Sequence, residues 1–324
     1  MPKPTLLMTA PSVPLVLELL EPLFNVHKLW EGDPDVLLEK IATKVVAVQS
    51  YALGKVEAGL LDKLPNVEIV AHFGVGYDVV DVATAAKRGI VVTNTPDVLT
   101  EEVADTALGL LLMTVRELGA AEKWLRAGHW SKKSDYRLTP MTLRDRRVGI
   151  VGLGRIGKAI ARRCEAFGLP VSYFGRTAQK GVSNRHYSNL VQMASDVDTL
   201  IVVIPGGAAT KNIVNAEVLE ALGPRGVVIN IARGSVVDET ALIKALKEKK
   251  IKAAGLDVFW NEPNINPELM KLENAVLLPH VGSASIYTRD AMGQLVVDNL
   301  KAYLAKKPPL TPVPETPFKG WKKR

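Results

Sequence analysis

The sequence is poor in cysteine and has no long apolar run. Cys164 is the single cysteine in 324 residues, which excludes an internal disulfide framework. No apolar stretch reaches the roughly 18 residues needed to cross a bilayer. The N-terminal segment MPKPTLLMTAPSVP lacks the basic region and long apolar core of a secretion signal. We therefore expect a cytosolic protein without a membrane partner, in which Cys164 is a small buried residue.

Zinc-ligand spacings and basic stretches interleaved with aromatic residues are also lacking. The net charge is +7, and part of the excess lies in the C-terminal tail, at Lys306, Lys307, Lys319, Lys322, Lys323 and Arg324. A positive surface of this kind is typical of a solvated exterior and also suits anionic ligands. We expect neither a nucleic-acid partner nor a bound metal.

The first half of the chain alternates short β-rich runs with helical patterns. The runs are 6–9, 26–30, 45–48, 69–73 and 90–93, and helical patterns such as 13–20 and 56–64 lie between them. Such alternation predicts an α/β fold with a parallel sheet. Thr100 then begins a long helix that is expected to run to about Ala127, with Glu101 and Glu102 in its first turn.

The second half contains six apolar runs typical of strands buried on both faces. They are 148–151, 171–174, 200–204, 227–231, 253–258 and 276–278. This pattern predicts a doubly wound dinucleotide-binding fold. A last helix, about 286–304, is expected to return to the first domain. We therefore predict a first domain of residues 1–99 completed by 287–324, and a dinucleotide-binding domain of residues 100–286.

A glycine-rich loop follows the first strand of this second domain. It reads Gly152-Leu153-Gly154-Arg155-Ile156-Gly157 and opens a predicted helix, which is the context that pyrophosphate binding requires. Gly152 permits the tight turn, Gly154 lets the backbone approach a pyrophosphate, and Gly157 lets the helix pack on the strand. Amide groups at the helix N-terminus then face the phosphates. The loop predicts a dinucleotide site.

The next strand lacks the acidic residue that binds the ribose of NAD. It ends in Gly175, Arg176 and Thr177, where an NAD site usually carries Asp or Glu. Gly175 leaves room, Arg176 offers a forked cation and Thr177 a hydroxyl, which together suit a 2′-phosphate. The sequence predicts a preference for NADP(H), and NAD(H) stays open as a second cofactor.

Three polar residues lie in or just beyond the ends of late strands. Arg233 occurs in NIARGSVVD, Glu262 in GLDVFWNEP and His280 in LLPHVGSAS. With these motifs the whole chain closely resembles the D-isomer-specific 2-hydroxyacid dehydrogenase family, and within it the NADP-preferring glyoxylate/hydroxypyruvate reductases. The resemblance implies a Rossmann cofactor domain, a flavodoxin-like substrate domain, a homodimer and an oxidoreductase that acts on a small 2-keto or 2-hydroxy acid.

The family assigns catalysis to residues matched here by Arg233, Glu262 and His280. Chemistry agrees, because reduction of a ketone needs a proton that an imidazole can supply near neutral pH. Glu262 would hold the tautomer of His280, and Arg233 would bind the substrate carboxylate or polarise the keto oxygen. With Arg233 and His280, the backbone of Val75 and Gly76 in the segment HFGVGYD is expected to bind substrate.

The resemblance also implies further cofactor contacts, which lie in the loops after the later strands. They are Ile204, Pro205, Thr210, Ile231, Ala232, Asp257, Gly282 and Ser283. Trp130 is a weaker candidate, because related reductases carry an aromatic residue from a neighbouring subunit at the site. His72 and Tyr77 border the Val75 segment, and we expect them to have packing roles.

Several alternatives remain. A D-lactate-type or other 2-hydroxyacid dehydrogenase fits the same motifs, and the small side chain of Val75 favours glyoxylate or hydroxypyruvate. A long phosphoglycerate dehydrogenase needs a C-terminal domain for which this chain has no room. A formate dehydrogenase would carry active-site groups that are missing here. A corepressor-like scaffold that only senses the dinucleotide could share the fold.

Overall fold

The computed structural model describes residues 2–51, 53–131 and 134–321. The chain forms two compact units, Met1–Leu99 with Ser285–Arg324 and Thr100–Ala284. Each unit contains one sheet whose strands pair only in parallel within the described residues. The second unit ends shortly before the predicted boundary at residue 286.

The first unit contains a five-stranded sheet in the order β2-β1-β3-β4-β5. Its strands are β1 (Thr5–Met8), β2 (Asn25–Lys28), β3 (Val45–Tyr51), β4 (Ile69–Phe73) and β5 (Val91–Thr93). Its helices are α1 (Pro14–Leu20), α2 (Pro34–Ile41), α3 (Ala58–Lys63), α4 (Val82–Lys87) and α12 (Ile286–Leu304). This strand order is the flavodoxin-like order, as expected. Helix α12 completes the unit by packing on α1 and β4.

The second unit contains a seven-stranded sheet in the order β12-β11-β10-β9-β6-β7-β8. Its strands are β6 (Val148–Val151), β7 (Val171–Phe174), β8 (Arg185–Tyr187), β9 (Thr199–Val202), β10 (Val227–Asn230), β11 (Ala253–Leu256) and β12 (Ala275–Leu277). Its helices are α5 (Thr100–Arg116), α6 (Leu118–Arg126), α7 (Arg155–Ala166), α8 (Leu190–Asp196), α9 (Ala216–Leu222), α10 (Glu239–Lys247) and α11 (Pro267–Met270). The order reverses between β6 and β9, which makes the C-terminal ends of these strands the expected ligand crevice.

Two predictions about this unit were wrong. The helix expected from Thr100 to Ala127 is interrupted at Glu117, whose φ of +54° is left-handed, and a new helix begins at Leu118. Glu117 pairs with Arg137 at 2.6 Å, a contact from a distant segment that no local pattern indicates. The sheet has a seventh strand, β8, which was missed because it is three residues long and mostly polar.

The cores of both units agree with the sequence pattern. Strands β1, β6, β9 and β10 are buried along their whole length. Cys164 is buried in α7 as predicted, and burial raises the pKa of its thiol to about 12. Among the described residues, no helix combines the length and the apolar character that a membrane span requires.

Candidate active site

The candidate site lies at one edge of the seven-stranded sheet. Because the strands are parallel, their C-terminal ends meet at the same edge. The predicted cofactor and catalytic residues of this unit follow the ends of β6, β7, β9, β10, β11 and β12. In the part of the chain that the structure describes, no group of three or more His, Cys, Asp or Glu side chains is arranged to hold a metal ion.

The glycine loop is tight at its ends and open in the middle. Gly152 has a φ of +101°, and a Cβ there would collide with the side chain of Ile204. A Cβ on Gly157 would run into the carbonyl oxygen of Gly152, so the helix can approach the loop only with glycine at 157. A Cβ on Gly154 would have no described heavy atom within 4 Å. This is the division of roles expected of a loop that receives a phosphate.

Helix α7 begins directly after Gly154 and presents its N-terminus to the same space. Gly154 is the N-cap residue, and no described side chain caps the helix. In a helix without a side-chain cap, the first-turn amides have no intrahelical acceptor and can donate to an anion.

The segment after β7 borders the glycine loop. The side chains of Arg176 and Thr177 are exposed, and a Cβ on Gly175 would meet its nearest described atom only at 3.9 Å. Gln179 ties this segment to the loop, because its Nε2 donates to the Leu153 carbonyl at 2.7 Å. No sequence signal pointed to Gln179.

The loop after β9 is held by hydrogen bonds between its own residues. The Thr210 hydroxyl donates to the Pro205 carbonyl at 2.7 Å, and the Thr210 amide donates to the Gly207 carbonyl at 3.1 Å. Ile204 lies against Gly152, because a Cβ on Gly152 would collide with the Ile204 side chain. The loop is thus held beside the glycine turn.

Arg233 follows β10 in a loop that is fixed by Asn230. The buried Asn230 side chain accepts from the Ala232 amide at 3.1 Å and donates to the Arg233 carbonyl at 3.0 Å. Ile231 and Ala232 are buried, whereas Arg233 is half-buried. Asn230 was not predicted as a site residue.

The Arg233 loop packs on the loop that carries Glu262. A Cβ on Gly234 would collide with the backbone of Phe259 and Trp260, so the two loops approach as closely as glycine permits. The Trp260 indole also donates to the Val237 carbonyl at 2.8 Å. The charge of Arg233 acts on Glu262 across this contact.

Glu262 and His280 form a hydrogen-bonded pair. Their Oε2 and Nδ1 atoms are 2.6 Å apart, and Glu262 Oε1 accepts from the Phe259 amide at 2.8 Å. Partial burial raises the pKa of Glu262, but the hydrogen bond and charge of His280, the Phe259 amide and the charge of Arg233 outweigh it, so the pKa lies below its ordinary value. The His280 side chain is 39% exposed.

Asp257 holds the loop that contains His280. Its two carboxylate oxygens accept from the Val281 amide at 2.7 Å and the Gly282 amide at 2.8 Å. Burial raises the pKa of Asp257, against these two hydrogen bonds and the charge of His280. His280 itself has a φ of +53°, a conformation that few non-glycine residues adopt. The sequence indicated a cofactor contact for Asp257, whereas the structure reveals this second role.

Four predicted residues remain: Val75 and Gly76 in the first unit, and Trp130 and Ser283 in the second. Val75 and Gly76 follow β4 in the first unit, and the Asn94 side chain donates to the Val75 carbonyl at 2.9 Å. Trp130 follows α6 and is 66% exposed. Ser283, after Gly282, is half-buried at the end of the second unit.

Comparison with known proteins matches residues 108–282 to the NAD binding domain of the D-isomer specific 2-hydroxyacid dehydrogenases. The chain belongs to this family. A crystal structure of the NADPH-dependent glyoxylate/hydroxypyruvate reductase of Sinorhizobium meliloti, in complex with NADP and malonate, is 52% identical with a TM-score of 0.95 and covers 99% of both chains.

Curated relatives extend the range of substrates within the 2-hydroxyacid dehydrogenase family. Glyoxylate/hydroxypyruvate reductase A of Arabidopsis thaliana is 47% identical over 91% of this chain and 94% of its own. Hydroxyphenylpyruvate reductase of Plectranthus scutellarioides is 45% identical over 95% of this chain and 98% of its own. Relatives of similar sequence identity are therefore named after small keto acids in one case and an aromatic keto acid in the other.

Proposed function

We propose that this chain is an NADPH-dependent reductase of small 2-keto acids, which converts glyoxylate to glycolate and hydroxypyruvate to D-glycerate. The observation that carries the proposal is the Glu262–His280 pair, which lies beside the Arg233 loop at the same sheet edge as the glycine loop. Relatives with these substrates in their names, at 47% and 52% identity, support it.

The proton is assigned to His280. When the cofactor is bound, its nicotinamide supplies the hydride that reduces the keto carbon. With Nδ1 of His280 engaged by Glu262, the other ring nitrogen, Nε2, is left to give a proton to the keto oxygen. The Nδ1–H tautomer that remains is held by the Glu262 carboxylate.

Binding of the substrate is assigned to Arg233 and to the backbone of Val75 and Gly76. A guanidinium can form paired hydrogen bonds with a carboxylate, or stabilise charge that develops on the keto oxygen. The half-buried position of Arg233, on a loop fixed by Asn230, supports a role that needs a fixed orientation.

NADP(H) fits the residues around the glycine loop. The uncapped N-terminus of α7 suits the pyrophosphate, and the open space over Gly154 lets it approach. Arg176 and Thr177 are exposed beside Gly175 and would hold the 2′-phosphate, whereas NAD(H) would lack that contact. The remaining proposed contacts are Leu153, Arg155, Ile156, Gly157, Ile204, Pro205, Thr210, Ile231, Ala232, Asp257, Gly282 and Ser283.

A panel of keto acids tests the substrate assignment. NADPH consumption is followed with glyoxylate, hydroxypyruvate, pyruvate and hydroxyphenylpyruvate, and kcat/KM is compared. We expect glyoxylate and hydroxypyruvate to give the highest values. A higher value for pyruvate would favour the D-lactate-type alternative, and a higher value for hydroxyphenylpyruvate would favour a bulky pocket.

We also propose a homodimer that uses the exposed apolar side chains of α6 together with Trp130 and Leu138. None of the residues of α6 is buried, and Leu118, Leu125, Trp130 and Leu138 are 47%, 48%, 66% and 95% exposed. Apolar exposure of this extent is typical of an interface. Sedimentation of the wild type and of Leu125→Glu tests the dimer, which we expect for the wild type and not for the variant. A wild-type monomer would contradict the proposal.

A cytosolic location stays a prediction, which cell fractionation checks.

A further inference from the structure

The loop after β4 is held by three consecutive carbonyl groups. Each of them accepts a hydrogen bond from a group in the first unit that lies outside the loop. The donors are the Thr95 amide to the Gly74 carbonyl at 2.9 Å, Asn94 Nδ2 to the Val75 carbonyl at 2.9 Å, and His72 Nε2 to the Gly76 carbonyl at 3.0 Å.

Fixing the carbonyls also fixes the amides. In a trans peptide the N–H points opposite to the C=O of the same unit. The N–H groups of Val75, Gly76 and Tyr77 therefore point away from the donors that hold the carbonyls. Among the described residues none of these three amides has an acceptor. Successive amides without an acceptor can together receive an anion such as a carboxylate.

His72 is built into this arrangement. It is buried, and its Nδ1 lies 2.9 Å from the hydroxyl of the buried Ser50. A carbonyl can only accept, so Nε2 carries the proton given to Gly76, and in the neutral ring Nδ1 accepts from Ser50. A Cβ on Gly74 would lie 2.8 Å from His72 Nε2, so the ring and the loop fit together only with glycine at 74.

We propose that His72 and Asn94 are positioning residues that aim the amides of Val75, Gly76 and Tyr77 at the carboxylate of the substrate. The identity of that anion as a 2-keto acid rests on the proposed function. Neither side chain takes part in the chemical step, so their loss raises the KM for the keto acid far more than it lowers kcat.

Asn94→Asp tests the Val75 hydrogen bond. The replacement has nearly the same shape, but it puts an acceptor where a donor is needed. We expect the KM for glyoxylate to rise about tenfold while the KM for NADPH stays unchanged. The matched control is Asn66→Asp, because Asn66 Nδ2 donates to the Thr43 carbonyl in the same unit without contact to the loop. A KM equal to that of the control would overturn the proposal.

A pair of variants at position 72 tests the Gly76 hydrogen bond. His72→Gln retains a nitrogen near the position of Nε2, whereas His72→Asn retains only one near Nδ1. We expect His72→Gln to keep a KM for glyoxylate near the wild-type value and His72→Asn to raise it about tenfold. Thermal unfolding of both variants separates this effect from loss of folding. The same KM in two folded variants would contradict the assignment.

A binding measurement separates this proposal from the proposed function. Oxamate, a keto-acid-like carboxylate that is not reduced, is added to the full chain with NADP⁺, and the thermal unfolding midpoint is recorded. We expect oxamate to raise the midpoint of the wild type and of Asn66→Asp but not that of Asn94→Asp. This result would uphold the anion site even if no keto acid were reduced. Equal shifts in all three proteins, or none in the wild type, would overturn it.

Discussion

His280 Nδ1 lies 2.6 Å from Glu262 Oε2, and further hydrogen bonds hold Glu262 and the His280 loop. The second oxygen of Glu262 accepts from the Phe259 amide, while the two amides that follow His280 donate to Asp257. The pair is therefore oriented by groups of the chain itself. Preorganisation of this kind lets an imidazole deliver a proton without first reorganising its surroundings.

Glu262→Gln should lower kcat at every pH between about 5 and 8. Partial burial raises the pKa of Glu262, but the bond and charge of His280 lower it more, so the net shift is downward. A carboxyl with a lowered pKa is ionised throughout this range, and the variant loses its charge at each pH. We expect a loss of about a hundredfold in the kcat for glyoxylate.

The control for this variant is Glu268→Gln. Glu268 is an exposed carboxylate that pairs with Lys247 and Lys271, and this change should leave kcat unaltered. If Glu262→Gln equalled the wild type on the acid side of the profile, Glu262 would already be protonated there, and the assigned role would be wrong.

Asp257→Asn should loosen the His280 loop. Asp257 uses both oxygens, and asparagine has only one, so the Val281 or Gly282 amide would lose its acceptor. An unsatisfied buried amide costs about 1–3 kcal/mol, and we expect a lower unfolding midpoint together with a lower kcat.

Asp238→Asn is the matched control for the Asp257 variant. Asp238 caps α10 with one oxygen, which accepts from the Ala241 amide, and asparagine caps helices about equally well. Two variants with the same midpoint and the same kcat would contradict the role given to Asp257.

Gly175→Asp should reverse the cofactor preference. There is room for the side chain, because a Cβ at this position would have no described atom closer than 3.9 Å. A carboxylate there would repel the 2′-phosphate of NADPH and accept from the ribose of NADH. We expect the ratio of kcat/KM for NADPH over NADH to exceed one in the wild type and to fall below one in the variant.

Arg176→Ala complements that change. Loss of a charged contact to the 2′-phosphate should lower kcat/KM for NADPH about tenfold or more and leave that for NADH nearly unchanged. Equal losses with both cofactors would indicate that Arg176 does not contact the phosphate.

The sequence predicted the features that depend on local pattern. Each glycine of the glycine loop has the geometry expected for its role, because a turn, an open approach and a helix contact all depend on the absence of a Cβ. The contact between Glu262 and His280 was also expected, since parallel strands bring their C-terminal ends to one edge.

What the sequence did not predict depends on tertiary contacts. Asn94 and His72 act on carbonyl groups of a neighbouring loop, and the double hydrogen bond of Asp257 reaches residues 24 and 25 positions away. The left-handed residue Glu117 divides a helix whose apolar pattern continues on both sides. No periodicity or turn signal marks such positions, because the partner is remote in the sequence in each case except the bond from His72 to Gly76, which joins residues four positions apart.

The most direct test of the account is a comparison of the wild type with His280→Asn in the reduction of glyoxylate by NADPH. Asparagine tolerates the positive φ of this position better than most residues, so the loop is preserved while the proton donor is lost. We predict turnover by the wild type, a fall in kcat of about 10²–10⁴-fold in the variant, and unchanged NADPH binding by both. Wild-type protein that binds NADPH without turnover of any keto acid, or a variant that retains wild-type kcat, would contradict it.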